Sequence, residues 1–277
     1  MLIADQLIYF ELHKTGCTHT RRILLNTLPN SQTVGMHNSV EEVDSRLLKN
    51  FDSKVKIGNI RNPWDWYVSL WAFGCMQRGG MRQSIQNMRK QLQQRTNNEE
   101  NRLKKAALNL KLKPLIRKYD QLDALYSDSH NKANFRSWLK HVIGLESTLD
   151  IGEGYKNAQV SKSLGLLSFR YLNLYVYKGA QLGKTTSHFN KIQAHDSQHN
   201  FIDVFIRNES LHEDLLTNAN MMSIEKKELE STLRKFSAKT NTSKRESDYR
   251  AYYDAKTADL VANYDRLIIE KHQYSFD

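Results

Sequence analysis

A chain of 277 residues with 39% hydrophobic and 26% charged side chains is long enough to bury one sizeable core, which excludes a disordered protein. Lys and Arg total 41 against 30 Asp and Glu, a net charge of +11 that suits an anionic ligand, a polyanion or an anionic membrane surface. Cys17 and Cys75 are too few for a disulfide framework, no apolar run reaches the length of a membrane span, and the start lacks a basic-then-apolar leader. The expectation is one cytoplasmic domain over residues 1–277.

Leu7–Phe10 is a short apolar run of strand formers, and residues 21–25 resume an apolar pattern at helical length. Between them, His13-Lys14-Thr15-Gly16-Cys17-Thr18-His19-Thr20 has the composition of a phosphate cradle. Gly16 lets the backbone turn sharply, the N–H groups opening the helix point at an anion, and the helix dipole and Lys14 favour the same charge. Lys14 precedes the glycine, so the spacing is not GxxxxGK[ST], and an ordinary nucleoside triphosphatase is disfavoured. Residues 32–36 read as a second strand ending at His37. Ser39 and Glu42 have capping-box spacing for a helix to about Lys49. Residues 54–60 read as a third strand, followed at once by Arg61-Asn62-Pro63-Trp64-Asp65-Trp66-Tyr67-Val68-Ser69, where Pro63 suits the first turn of a helix. Strands alternating with helices predict an α/β fold, a three-layer α/β/α arrangement with a central parallel sheet. Ligands then bind at the carboxyl ends of the strands, where Lys14, His37 and Arg61 fall. Trp64, Trp66 and Trp71 recur at helical spacing and belong mostly to the core.

Residues 78–145 are polar, basic and strand-poor, a helical insertion with a hinge at Gly79-Gly80, a break at Pro114 and a mobile loop near residues 96–100. It is either a basic lid for an anionic acceptor or a solvated helical face. Residues 135–143 read as amphipathic, and residues 168–175 as a partly buried helix. His195 and His199 are four apart and could share a helix face, but the strand expected at 201–206 favours a loop. No third ligand is evident, so no metal is expected. Residues 207–211 begin another helix. A polar loop at 239–245 leads to an amphipathic helix over about 249–270.

With both strand-loop-helix units in view, the chain resembles the sulfotransferases that use 3′-phosphoadenosine 5′-phosphosulfate (PAPS), particularly the carbohydrate-modifying branch. In that family PKTGGTS holds the 5′-phosphosulfate and RNPxxxxxS the 3′-phosphate; HKTGCTHT and RNPWDWYVS stand in their places here, with Arg61 and Ser69 eight apart as in the family. FIDVFIRNESLHEDL is similar to the family's later strand and acidic helix, and SDYRAYYDAKTADLVANYDRLIIEKHQYSF to its C-terminal ending. The insertion at 78–145 has no counterpart in these motifs.

The resemblance implies a P-loop-like sulfotransferase fold and transfer of a sulfuryl group from PAPS to a hydroxyl of a carbohydrate or glycoconjugate by in-line displacement. It implies that Lys14 bonds the 5′-phosphate and the oxygen bridging to sulfur. Thr15, Gly16, Cys17, Thr18, His19 and Thr20 would hold the remaining oxygens. Arg61 and Ser69 would hold the 3′-phosphate, and Lys244 and Arg245 would sit in a loop that closes over the nucleotide. The plain alternatives are a structural salt bridge for Arg61 and a solvent-facing hydroxyl for Ser69. For the base that takes the acceptor's proton, His37 comes first, Glu11 second and His13 third. Glu11 and His13 depart from the His and Pro common in the family loop. The partners expected are PAPS and a saccharide or glycoconjugate, without nucleic acid and without a membrane span, though compatible with peripheral membrane association. A kinase-type phosphoryl transferase is disfavoured by the lysine placement and the lack of an evident Mg²⁺ carboxylate. A non-catalytic basic module binding polyanionic saccharide or nucleic acid is the remaining reading, and salt sensitivity would separate it.

Overall fold

Four consecutive apolar strand formers fit only where both faces of a sheet are covered. In the computed structural model, which describes residues 1–144, 153–237 and 244–277, β1 (Leu2–Ile3) is followed by such a strand, β2 (Leu7–Phe10), with all four side chains buried. Their alternation splits the core in two: Ile8 and Phe10 enter one cluster, Leu7 and Tyr9 the other. Helix α1 (Cys17–Thr27) then leads to β3 (Gln32–Thr33), and β4 (Val55–Ile60) leads directly into α2 (Pro63–Cys75).

The sheet is mixed, not wholly parallel. Its order is β3-β1-β2-β4 with β5 (Val204–Arg207) at the far edge. β2, β4 and β5 are parallel, whereas β1 is antiparallel to both β2 and β3. A tight turn closed by Ala4 N–H donating to Leu7 O (2.9 Å) sends β1 back along β2. Two antiparallel steps leave β3 running in the direction of β2, so the ends of β3, β2 and β4 share one rim. The expected 32–36 strand is only two exposed residues.

The helix expected to run to Lys49 is instead three 3-10 turns, Val40–Glu42, Ser45–Leu48 and Phe51–Ser53. The Ser39–Glu42 capping box forms, but Val43 is extended, Asp44 caps the second turn and Asn50 is left-handed, so no turn continues into the next.

The insertion is an antiparallel pair, α3 (Gly80–Asn97) and α4 (Arg102–Ala124), joined by a short connection and followed by α5 (Lys132–Val142). Pro114 does not break α4, contrary to expectation. It lies on the exposed side, where water can satisfy the carbonyl that its missing N–H leaves open. α6 (Leu166–Tyr175) is nearly all buried. α7 (Gly179–Thr185) and α8 (Phe189–His199) follow, so His195 and His199 lie on a helix and not in a loop, and the strand after them starts only at Val204.

α9 (Leu211–Thr217) and α10 (Lys226–Lys235) cover, with α1, one face of the sheet. The expected 249–270 helix is divided into a 3-10 turn (Tyr249–Tyr252), α11 (Ala255–Tyr264) and α12 (Arg266–His272). The division falls at Asp265, fully buried, whose carboxylate accepts from Tyr67 Oη–H (2.7 Å) and Ser168 N–H (2.8 Å). Burial pushes its pKa up to about 6. Trp66, Trp71 and the apolar residues of α5, α6 and α12 fill the opposite face.

Candidate functional site

The β2–α1 connection is built on two left-handed residues, Lys14 (φ 62°) and Gly16 (φ 83°), a backbone form that turns N–H groups into one concavity. The glycine is required twice over: at that φ a side chain is strained, and a Cβ would lie 2.8 Å from Asn208 Oδ1 and 2.9 Å from Leu211 Cδ1. α1 opens at Cys17 with no side chain capping its amides. Lys14 Nζ sits 3.8 Å from the centre of the Phe73 ring. Burial first, and Arg61 next, lower the Lys14 pKa to about 8. The Cys17 thiol is raised by burial to about 11, so it stays protonated.

The β4–α2 connection is made differently. Asn62 Oδ1 accepts from Trp64 N–H (3.0 Å) and Asp65 N–H (3.4 Å), and Pro63 has no N–H to offer, so this helix start is closed by its own cap. Charge is presented by side chains instead. Arg61 donates Nη1–H to the Lys14 carbonyl (2.8 Å) and Nε–H and Nη2–H to Asp65 Oδ2 (2.8 and 2.7 Å). Arg245 donates to Asp65 Oδ1 with Nη2, while its Nη1 is buried with no partner among the described residues. Burial opposes ionisation of Asp65, but the two guanidiniums hold its carboxyl below the usual range. Arg61 therefore does make the plain salt bridge, and it also ties the two connections together. Ser69 is buried rather than solvent-facing.

Both connections open on one cavity of about 960 Å³. It brings together Lys14, Gly16, Cys17, Thr18, His19, His37, Arg61, Ser69 and Arg245. His37 donates Nδ1–H to the Glu11 carbonyl (2.7 Å). A carbonyl only accepts, so the neutral ring keeps its lone pair on Nε2. His37 stacks on His13 at 3.5 Å between ring centres, with planes 16° apart. Burial lowers both pKa values, with Arg170 adding to the effect at His13. His19 Nε2 lies 2.8 Å from His212 Nε2, so one ring donates to the other.

Four expected site residues are not brought to the cavity. The Glu11 carboxylate is buried and ion-paired with Arg21 (3.2 Å) and the Met1 amino group (3.0 Å), which removes it as a base. The Thr15 hydroxyl donates to Leu12 O (2.7 Å), and the Thr20 hydroxyl accepts from Asn59 Nδ2–H (3.1 Å); both point into the core. Lys244 is exposed and does not line the cavity; the rest of its loop, residues 239–243, lies outside the described residues.

The cavity also holds cations that sequence reasoning missed: Arg78, Arg82 and Arg170. Arg170 is 95% buried, pairs with Glu153 through Nε and Nη2, and leaves Nη1 buried without a partner among the described residues. The available signal was a single charged residue, Arg170, inside the largely apolar LLSFRYLNLY of α6. His195 donates Nε2–H to the Tyr177 carbonyl (2.8 Å). Among the described residues no group of three or more His, Cys, Asp or Glu side chains could hold a metal ion. No protein-family model matches the chain, and no match was found among curated proteins or among solved structures.

Proposed function

We propose that the protein is a sulfotransferase of P-loop-like α/β fold, moving a sulfuryl group from PAPS to a hydroxyl of a saccharide or glycoconjugate. One observation carries the reading: Arg61 links two separately built cationic sites, at the neighbouring ends of β2 and β4, on the wall of a single cavity. A donor with a phosphosulfate at one end of adenosine and a phosphate at the other needs that pair, whereas a lone triphosphate needs only one. The cavity volume of about 960 Å³ is at the large end for small-molecule sites, room for a nucleotide beside an acceptor.

In this reading the amides that open α1 and the Lys14 ammonium hold the 5′-phosphosulfate. Lys14 offsets the charge that develops on the bridging oxygen as the sulfur–oxygen bond breaks. Arg61, Arg245 and Ser69 take the 3′-phosphate, with Arg245 Nη1, which has no partner among the described residues, supplying a donor. The acceptor oxygen attacks sulfur in line, its proton goes to His37 Nε2, and 3′-phosphoadenosine 5′-phosphate leaves with the electron pair. The protonated thiol of Cys17 fits direct transfer with no covalent enzyme intermediate.

Calorimetry with 3′-phosphoadenosine 5′-phosphate tests this. Saturable one-to-one binding is expected, weakened in the Arg61→Ala protein. No heat and no thermal shift at about millimolar ligand, a concentration equivalent to roughly −4 kcal/mol, would sink the proposal.

A further inference from the structure

The α3–α4 pair buries one side of each helix against the other. Leu112, Tyr119 and Leu122 of α4 belong to the same core as Ile85 and Leu92 of α3. Arg82–Asp123 (2.8 Å) and Arg89–Asp120 (2.5 Å) tie the pair together near the C-terminal end of α4. The opposite side of α4 is a different surface. Leu103, Ala107, Leu110 and Pro114 follow at steps of four, three and four, one stripe of a helix. All four are exposed, Leu103 by 84% and Leu110 by 76%.

Residues 102–118 contain seven Lys and Arg and no Asp or Glu, whereas the chain as a whole has 41 against 30. On the helical projection Lys104 and Lys111 flank the stripe on one side, and Arg102, Lys113 and Arg117 on the other. All five are exposed. Solvation alone accounts for the lysines but not for two leucines left in water between them.

We propose that this outer face of α4 docks on an anionic lipid bilayer. An apolar stripe flanked by cations on both sides is the arrangement that lies in the headgroup plane, leucines among the acyl chains and ammonium groups at the phosphates. Charge selects the occupant: a second copy of the same face would bring like charges together, and a nucleic acid or acidic saccharide has no use for the leucines. Among the described residues no helix is long and apolar enough to cross a membrane, so the contact is with one leaflet. The proposal does not rest on the sulfuryl-transfer reading and stands or falls separately from it.

The test is co-sedimentation of the full chain with vesicles of phosphatidylcholine containing about one third phosphatidylglycerol, beside vesicles of phosphatidylcholine alone. Binding to the anionic vesicles only is expected, falling as salt rises. Each charge reversed among Lys104, Lys111 and Lys113 (Lys→Glu) should weaken binding at least about fivefold. The double variant Leu103→Ser with Leu110→Ser should weaken it about tenfold, with an unchanged melting temperature because both side chains are exposed. Heparin and a single-stranded oligonucleotide serve as competitors. No sedimentation with anionic vesicles, or an affinity indifferent to the leucine pair while heparin binds tightly, would overturn the proposal.

Discussion

Two connections of the same plan, strand end to helix start, do opposite things with their backbone. The β2–α1 connection leaves the helix uncapped and spends two left-handed residues on turning its amides toward the cavity. The β4–α2 connection closes its helix with Asn62 and Pro63, anchors the Asn62 amide on Glu209 Oε1 (2.7 Å), and offers only side-chain guanidiniums. The first is suited to an anion whose charge changes during a reaction, because fixed dipoles need no rearrangement as charge develops. The second is suited to an anion that is only held, because Asp65 already fixes the Arg61 and Arg245 guanidiniums in place.

Lys14→Ala tests this contrast with the largest effect. It removes a full charge beside the α1 amides, so kcat for transfer from PAPS should fall about 10³-fold. Product-nucleotide affinity should change much less, since the amides remain. A loss confined to affinity would break the comparison.

His37→Gln comes next, with a fall in kcat of about 10²-fold. Near-normal turnover would remove His37 as the base. Its pH signature follows from the shifts. Burial lowers the His37 pKa, so the ring stays unprotonated below the usual histidine range, and the acid limb of kcat/KM should lie below about pH 6.5. Lys14, lowered to about 8, loses its charge as pH rises through that value, so on the proposed reading an alkaline limb of kcat/KM is expected near there. The limb in kcat should lie higher, because a bound phosphosulfate holds the proton on Lys14. His37→Gln should erase the acid limb and leave the alkaline one.

Arg61→Ala should weaken binding of 3′-phosphoadenosine 5′-phosphate by about tenfold to a hundredfold, with a smaller effect on kcat at saturation. If it lowered kcat as much as Lys14→Ala does, the division between a reacting end and a holding end would be wrong.

How much of this could be read from the chain depended on how local the cause was. β2 was legible because a strand buried on both faces declares itself as an apolar run, and β4 because it leads at once into the Pro63 helix start. β1 was not: two residues carry no period, and their direction follows from a turn at Ala4. Lys14 and Arg61 were legible because each adjoins a strand end. Which loop hydroxyls face the cavity was not, because the left-handed dihedrals of Lys14 and Gly16 rotate Thr15 into the core and leave Thr18 outside. Arg170 was hidden for a different reason. It stands more than a hundred residues from the loop it borders, and reaches it in space over the Trp66 ring (5.5 Å), whose Nε1–H donates to the His13 carbonyl (2.6 Å). Glu11 could be read as a carboxylate beside the end of β2 but not as one already ion-paired with Arg21.

The smallest expected effect isolates the cap from the ligand site. Asn62→Ala removes the acceptor for two α2 amides and the donor to Ser275 O (3.0 Å), which should cost about 1–2 kcal/mol. For a chain of this size the melting temperature should drop by roughly 2–6 °C. Affinity for the product nucleotide should stay within about twofold, since Asn62 acts on the helix start and the guanidiniums keep their own partner in Asp65. Asn62→Asp retains the capping oxygens and should recover much of the lost stability, measured by thermal melting. The same two variants would then separate an intact helix start from an intact phosphate site: a nucleotide affinity that fell with the melting temperature and returned with Asp would mean that the α2 amides, and not the arginines, do the holding.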